Sequence, residues 1–161
     1  FNTMRNNISF GSGLLNNHFS FEGRLSRIVS DGYIDRASSD LKSFYLSGGY
    51  YDEKNIIRLN VFSGKEVTYQ SWYGTPESRI NGNQQERLDY SIRNGLSEAE
   101  TKNLLESGRT YNYYTYDNQV DDYQQDHYQL LLSRSLSKSW TANFALHATK
   151  GGGFYEEFKS A

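Results

Sequence analysis

A two-residue rhythm of apolar and polar side chains recurs in six stretches of this chain and limits what it can fold into. Alternation sends successive side chains to opposite faces, so each stretch is predicted as a β-strand with one apolar and one polar face. The first strand is expected over 3–13, with Ile8 and Phe10 opposed to Asn7, Ser9 and Gly11. In 18–30, Phe19, Phe21, Leu25 and Val29 oppose His18, Ser20, Glu22, Arg24 and Ser26. In 43–51, Phe44, Leu46 and Tyr50 oppose Ser43, Ser47 and Gly49. The fourth, 55–72, sets Ile57, Leu59 and Val61 against Arg58, Asn60, Glu66 and Thr68. The fifth, 123–136, sets Tyr128, Leu130, Leu132 and Leu136 against His127, Gln129, Ser133 and Ser135. The sixth, 140–150, sets Trp140, Ala142, Phe144, Leu146 and Ala148 against Asn143, Ala145, His147 and Thr149.

The connections are as patterned as the strands. "LLNN", "DEKN" and "SKS" are short, whereas 31–42 and 73–122 are long and polar. In an up-and-down sheet all the short turns then fall at one end and all the long loops at the other. Outer-membrane barrels have this asymmetry. The run from Phe19 to Val29 would extend roughly 35 Å at about 3.3 Å per residue. At a tilt of about 40° it would cover roughly 25–28 Å of membrane normal, the height of such a barrel's apolar band. The fourth strand is longer than that band requires, so its far end is expected to rise above it. The expected fold is therefore all-β: antiparallel up-and-down strands of a transmembrane β-barrel, partial, with about six strands.

The long insertion carries its own signal. In "LSEAETKNLLESGR", Ser97 is placed to cap a helix, Glu100 to complete a capping box and Gly108 to stop it. "NQQERLDYSIRNG" reads as a second short helix ending near Gly95. The stretch "RTYNYYTYDNQVDDYQQD" is rich in tyrosine and acid.

Composition narrows the function classes. Aromatic residues make up 16% of the 161 residues, Cys is absent, and the net charge is −2 without a basic run. Disulfides are thus impossible, and nothing recommends a nucleic-acid partner. No run of about 18 apolar residues exists to make a transmembrane helix, but a transmembrane strand needs only one apolar face. "FNTMRNNISF" has no signal-peptide core and opens in mid-alternation, so the chain is expected to be a piece of a longer one. Asp, Glu and Ser are plentiful, yet no arrangement supplies a nucleophile with its base, and no enzyme is expected.

Several segments, in order, resemble the mid-barrel of a TonB-dependent outer-membrane receptor. They are "GLLNNHFSFEGRLSRIVSDGYIDRASSDLKSFYLSGGYY", "SGKEVTYQSWYGTPES" and "YDNQVDDYQQDHYQLLLSRSLSKSWTANFALHATKGGGFYEEFK". The resemblance spans nearly the whole chain and is weakest over residues 79–110. It implies a barrel of about 22 strands, a plug domain inside it, energy from the TonB complex and an outer-membrane location in a Gram-negative bacterium. The implied cargo is a scarce ligand: an iron chelate, a cobalamin or a glycan. Six strands cannot close a barrel, so this chain would form about a quarter of the wall, with plug and TonB box outside it.

On this reading Phe19, Phe21, Leu25, Leu59, Val61, Leu130, Leu132, Phe144 and Leu146 face outer-membrane lipid. Glu22, Arg24, Arg58, Glu66, His127 and His147 face the lumen or plug, or act as wall residues bonded across strands. Trp72, Tyr73, Tyr111, Tyr113, Tyr114 and Tyr116 are the candidate ligand-stacking set, by ring faces with polar tips. The same rings could instead pack the loop on itself or, for Tyr69 and Trp72, form an aromatic girdle. Asp117, Asp121, Asp122 and Asp126 have the oxygen chemistry of a Ca²⁺ site but not EF-hand spacing, which favours a solvated acidic loop. The three His residues are far apart in sequence, and no metal or cofactor is expected. "KGGGF" is expected to allow a bulge or a close backbone approach. Two other classes remain: a soluble β-sandwich binding a sugar through the Tyr-rich loop, and a porin without a plug.

Overall fold

The computed structural model describes residues 1–159. Six strands, β1 (Met4–Gly11), β2 (Phe19–Ser30), β3 (Ser39–Tyr51), β4 (Asn55–Tyr69), β5 (Val120–Ser137) and β6 (Trp140–Tyr155), form one antiparallel sheet in sequence order. Each strand pairs with its chain neighbours, so the meander is up-and-down throughout. The sheet is open: β1 and β6 are its edges and do not pair with each other. No second sheet lies on either face among the described residues, so the layered packing a β-sandwich needs is not present there.

The short turns follow from their residues. Asn16 and Asn17 take the left-handed conformation, which asparagine tolerates and tight hairpins need. At the β3–β4 turn the Asp52 carboxylate accepts from the backbone N–H groups of Lys54 and Asn55. With the Asn55 amide foremost, these bonds hold the Asp52 carboxyl down at about 2. The β5–β6 turn is Lys138–Ser139, where the Ser139 N–H donates to Ser137 Oγ, and a register shift between Ser135 and Ser137 precedes it.

Several expected boundaries move: β1 ends at Gly11 and β6 runs on to Tyr155. The loop expected over 31–42 ends earlier, because β3 already begins at Ser39. Its first residues continue the alternation with charge in place of hydrophobicity: Asp40 binds Arg27 on β2 through two hydrogen bonds and Lys42 on its own strand. The long insertion runs over 70–119 rather than 73–122, since β4 stops at Tyr69 and β5 starts at Val120.

That insertion holds three helices rather than one or two: α1 (Glu77–Ile80), α2 (Gln84–Arg93) and α3 (Glu98–Glu106). Both longer helices begin with a full capping box, Asn83 with Glu86 and Ser97 with Glu100. Gly95, with φ +64°, supplies the left-handed residue after α2. Gly108 does not play that part for α3, whose C-cap is Ser107 in extended conformation. α1 follows Pro76. Its pre-set φ starts a turn too short to leave any periodicity in the sequence.

Candidate functional site

The two faces of the sheet are chemically distinct, and the register shows why. Phe19 lies in one row with Tyr50, Ile57, Leu132 and Phe144; Phe21 lies in the next with Gly48, Leu59, Leu130 and Leu146. Leu25 and Val61 extend the same face. All the residues expected to point at lipid therefore share one face. It is uncovered, and Phe21, Leu59 and Leu146 are each just over half exposed. Towards the loop end this face changes character: Arg27, Lys42 and Lys65 occupy one row, with the Asp40 and Asp122 carboxylates bonded to them from the row above.

The opposite face carries Glu22, Arg24, Arg58, Glu66, His127 and His147 together. Much of it is a hydrogen-bonded ladder. The Ser47 hydroxyl donates to Asn60 Oδ1 at 2.8 Å, and Asn60 Nδ2 donates to Gln129 Oε1 at 3.1 Å, joining β3, β4 and β5. The Tyr45 hydroxyl donates to the same Asn60 oxygen. Higher up, the His127 ring stacks on Phe62 with centroids 4.5 Å apart. His127 also meets His147 and Thr149 of β6. His127 and His147 are thus bonded to each other across β5 and β6. Among the described residues no ion pair joins Glu22, Arg24, Arg58 or Glu66, and Arg58 Nε is buried without a partner. A shallow cleft of about 790 Å³ lies over this face between Arg24, Tyr45, Phe62, Glu66 and His127.

The KGGGF glycines show the expected close approach. A Cβ on Gly153 would run into the backbone of Asp122 and Tyr123, and one on Gly151 into the Tyr123 hydroxyl.

The aromatic loop set divides. Tyr111 and Tyr114, expected among the ligand-stacking rings, are each only 2% exposed and form a small loop core with Leu104. Burial pushes both phenols up to about 12. These two rings are therefore structural, buried with Leu104 inside the loop. Trp72, Tyr73 and Tyr116 remain exposed, and Tyr113 is half-buried. Tyr73 packs on Tyr113 and Tyr114, and Trp72 on Tyr114 and on Tyr155 of β6. Tyr116 stacks on Phe158 at 3.8 Å. Beside that pair a cleft of about 590 Å³ is lined by Glu100, Tyr113, Tyr116, Gln119 and Glu157. Ring faces rimmed by hydroxyls and carboxylates suit a ligand that offers an apolar ring face and polar edges.

Asn112 organises the loop, which nothing in its sequence context announces. Its amide donates to the carbonyls of Asp35 and Gln70, and its own oxygen accepts from the Tyr114 N–H. Asp35 in turn donates its N–H to Thr110 O, so loop 31–38 is docked onto the long loop.

The acidic residues do not converge. Asp121 and Asp122 point to opposite faces, Asp122 pairs with Lys65, and Asp126 binds Ser63 and Gln124. No helix among the described residues is long and apolar enough to cross a membrane, which says nothing of crossing by strands.

No known protein family, curated protein or solved structure matches this chain.

Proposed function

We propose that this chain is a stretch of the wall of an outer-membrane β-barrel, of the TonB-dependent receptor type, whose intact form imports a scarce ligand across a Gram-negative outer membrane. The observation that carries the reading is the uncovered apolar face. A sheet that leaves Phe19, Phe21, Leu25, Leu59, Leu130 and Phe144 without a packing layer needs an apolar surrounding, because such a patch in water is strongly unfavourable.

The band's outline supports strands tilted through a slab. On β2 the apolar run starts at Phe19 and gives way at Arg27; on β6 it starts at Trp140 and gives way at Lys150. Phe19 shares a row with Phe144, and Leu25 shares one with Lys150. The band therefore runs obliquely to the hydrogen-bonded rows, as a horizontal slab does across strands inclined by about 40°.

The opposite face is then the lumen wall. Glu22, Arg24, Arg58 and Glu66, without ion partners in the sheet, are the groups a plug domain would meet. Trp72, Tyr73 and Tyr116 would present ring faces to an iron chelate, a cobalamin or a glycan entering from outside. Catalysis has no part in this reading.

The test is fractionation of the source cells with an antibody against residues 73–122. A large, heat-modifiable band in the outer membrane is expected, with a mass and N-terminal sequence that include a plug. The same band without a plug would make it a porin. A soluble band near 18.6 kDa would overturn the membrane reading.

A further inference from the structure

The three histidines share no sequence motif, yet β-pairing brings two of them together. His127 lies opposite Thr149 and His147 opposite Gln129, so the two imidazoles are diagonal neighbours on the polar face. His127 Nδ1 and His147 Nε2 are 3.2 Å apart. The Thr149 hydroxyl oxygen is 3.2 Å from the first nitrogen and 3.1 Å from the second. These donor atoms make a nearly equilateral triangle on a solvent-accessible face. His18, by contrast, is tied to Tyr51 O near the β1–β2 turn and takes no part.

We propose that His127 and His147 form a binding site for an imidazole-seeking divalent transition metal, with Cu²⁺ the strongest binder and Ni²⁺ and Zn²⁺ weaker. Two metal–nitrogen bonds of about 2.0–2.1 Å that meet near 100° place their nitrogens about 3.2 Å apart. The separation in the sheet already has that value. The tautomers are also set for it. His127 Nε2 faces Gln125 Oε1 at 3.2 Å, and this carbonyl can only accept, so Nε2 carries the proton and Nδ1 keeps its lone pair. In the metal-free state the His147 Nε2–H fills the gap between the rings. On metal binding His147 takes its other tautomer, giving up the Nε2 proton and taking one up at Nδ1 through solvent, so the ring stays neutral with its Nε2 lone pair free, and both rings turn slightly so that their lone pairs converge. Stacking on Phe62 limits how far His127 must turn.

Among the described residues no third His, Cys, Asp or Glu joins the pair. The remaining positions fall to the Thr149 hydroxyl and water, so the site is an open one. Two nitrogens with oxygen ligands favour Cu²⁺ by the general order of divalent affinities. The inference rests on the β5–β6 register and not on the membrane reading.

The test is titration of the intact protein with Cu²⁺, in detergent or in plain buffer as its solubility requires, read by binding affinity and by nitrogen hyperfine structure in the EPR spectrum. The unsubstituted protein should show two imidazole nitrogens at one site. His147→Asn and His127→Asn should each weaken that site at least tenfold and remove one nitrogen from the spectrum. Gln125→Leu removes no donor. It should weaken binding about tenfold while keeping both nitrogens, because it frees the tautomer and ring orientation. Circular dichroism identifies any variant that fails to fold. Wild-type affinity in both His variants, or two nitrogens persisting in either, would overturn the proposal whatever fractionation shows about the compartment.

Discussion

The sheet leaves Phe21 and Leu146 more than half exposed, while the loop closed between β4 and β5 buries Leu104 completely. One region hides no core of its own, and the other builds a small core from Leu104, Tyr111 and Tyr114 around the Asn112 hydrogen bonds. The sheet draws its order from backbone ladders and from whatever covers its faces. The loop draws its order from contacts that lie within the chain. The two regions therefore answer to different surroundings and should respond separately to substitution.

The largest effect is expected from Leu104→Ala. Removing a fully buried leucine should cost about 2–5 kcal/mol. Hydrogen exchange should show residues 70–119 opening while the strand amides keep their protection. Loss of protection in both regions would mean that the loop core also supports the sheet.

Arginine substitutions ask the complementary question of the sheet in the intact protein refolded into lipid vesicles. Leu130→Arg or Phe144→Arg should cost about 2–4 kcal/mol if those positions face hydrocarbon. Ser133→Arg or Asn143→Arg, on the other face, should cost little. Equal penalties on both faces would remove the basis for the wall reading.

Asn112→Ala should be milder, about 1–3 kcal/mol, because the Asp35 and Gln70 carbonyls lose a buried donor. Limited proteolysis should then cut 31–38 as well as 70–119, because the two loops are docked through this side chain. Cutting confined to the long loop would show that the docking does not depend on it.

At neutral pH the smallest effect is that of the buried phenols. Their folded values lie above the ordinary tyrosine value, chiefly through burial. The stability they contribute is therefore full below pH about 10 and is lost as pH rises towards 12. An absorbance titration at alkaline pH should show late-titrating tyrosines, absent in the Tyr111→Phe, Tyr114→Phe double variant. Loop opening at the same pH in that variant would mean that other groups drive it.

Much of the fold could be read from the chain because alternation is a local signal. A polar residue after an apolar one fixes which face each takes, and pairing of consecutive strands carries that choice across the sheet. Glu22, Arg24, Arg58, Glu66, His127 and His147 fall on one face for this reason, and Phe19 through Leu146 on the other. The capping box at Ser97 was equally legible, since its partner Glu100 is three residues away, whereas the matching box of Asn83 with Glu86 emerged only in the structure. The start of β3 was not, because Asp40 and Lys42 look like loop residues until Arg27 on the neighbouring strand is known to lie beside them.

Periodicity in the chain was enough to give the six strands (apart from some of their ends), their two faces, and the sides on which short and long connections fall. All of these follow from contacts between near neighbours or from simple periodicity. Long-range packing was needed to show which tyrosines are core and which are free, that Asn112 joins two loops, and that His127 meets His147. Those outcomes depend on register and on loop docking over tens of residues. No periodicity encodes such distances, because the chain reaches them only by closing loops on surfaces that form elsewhere.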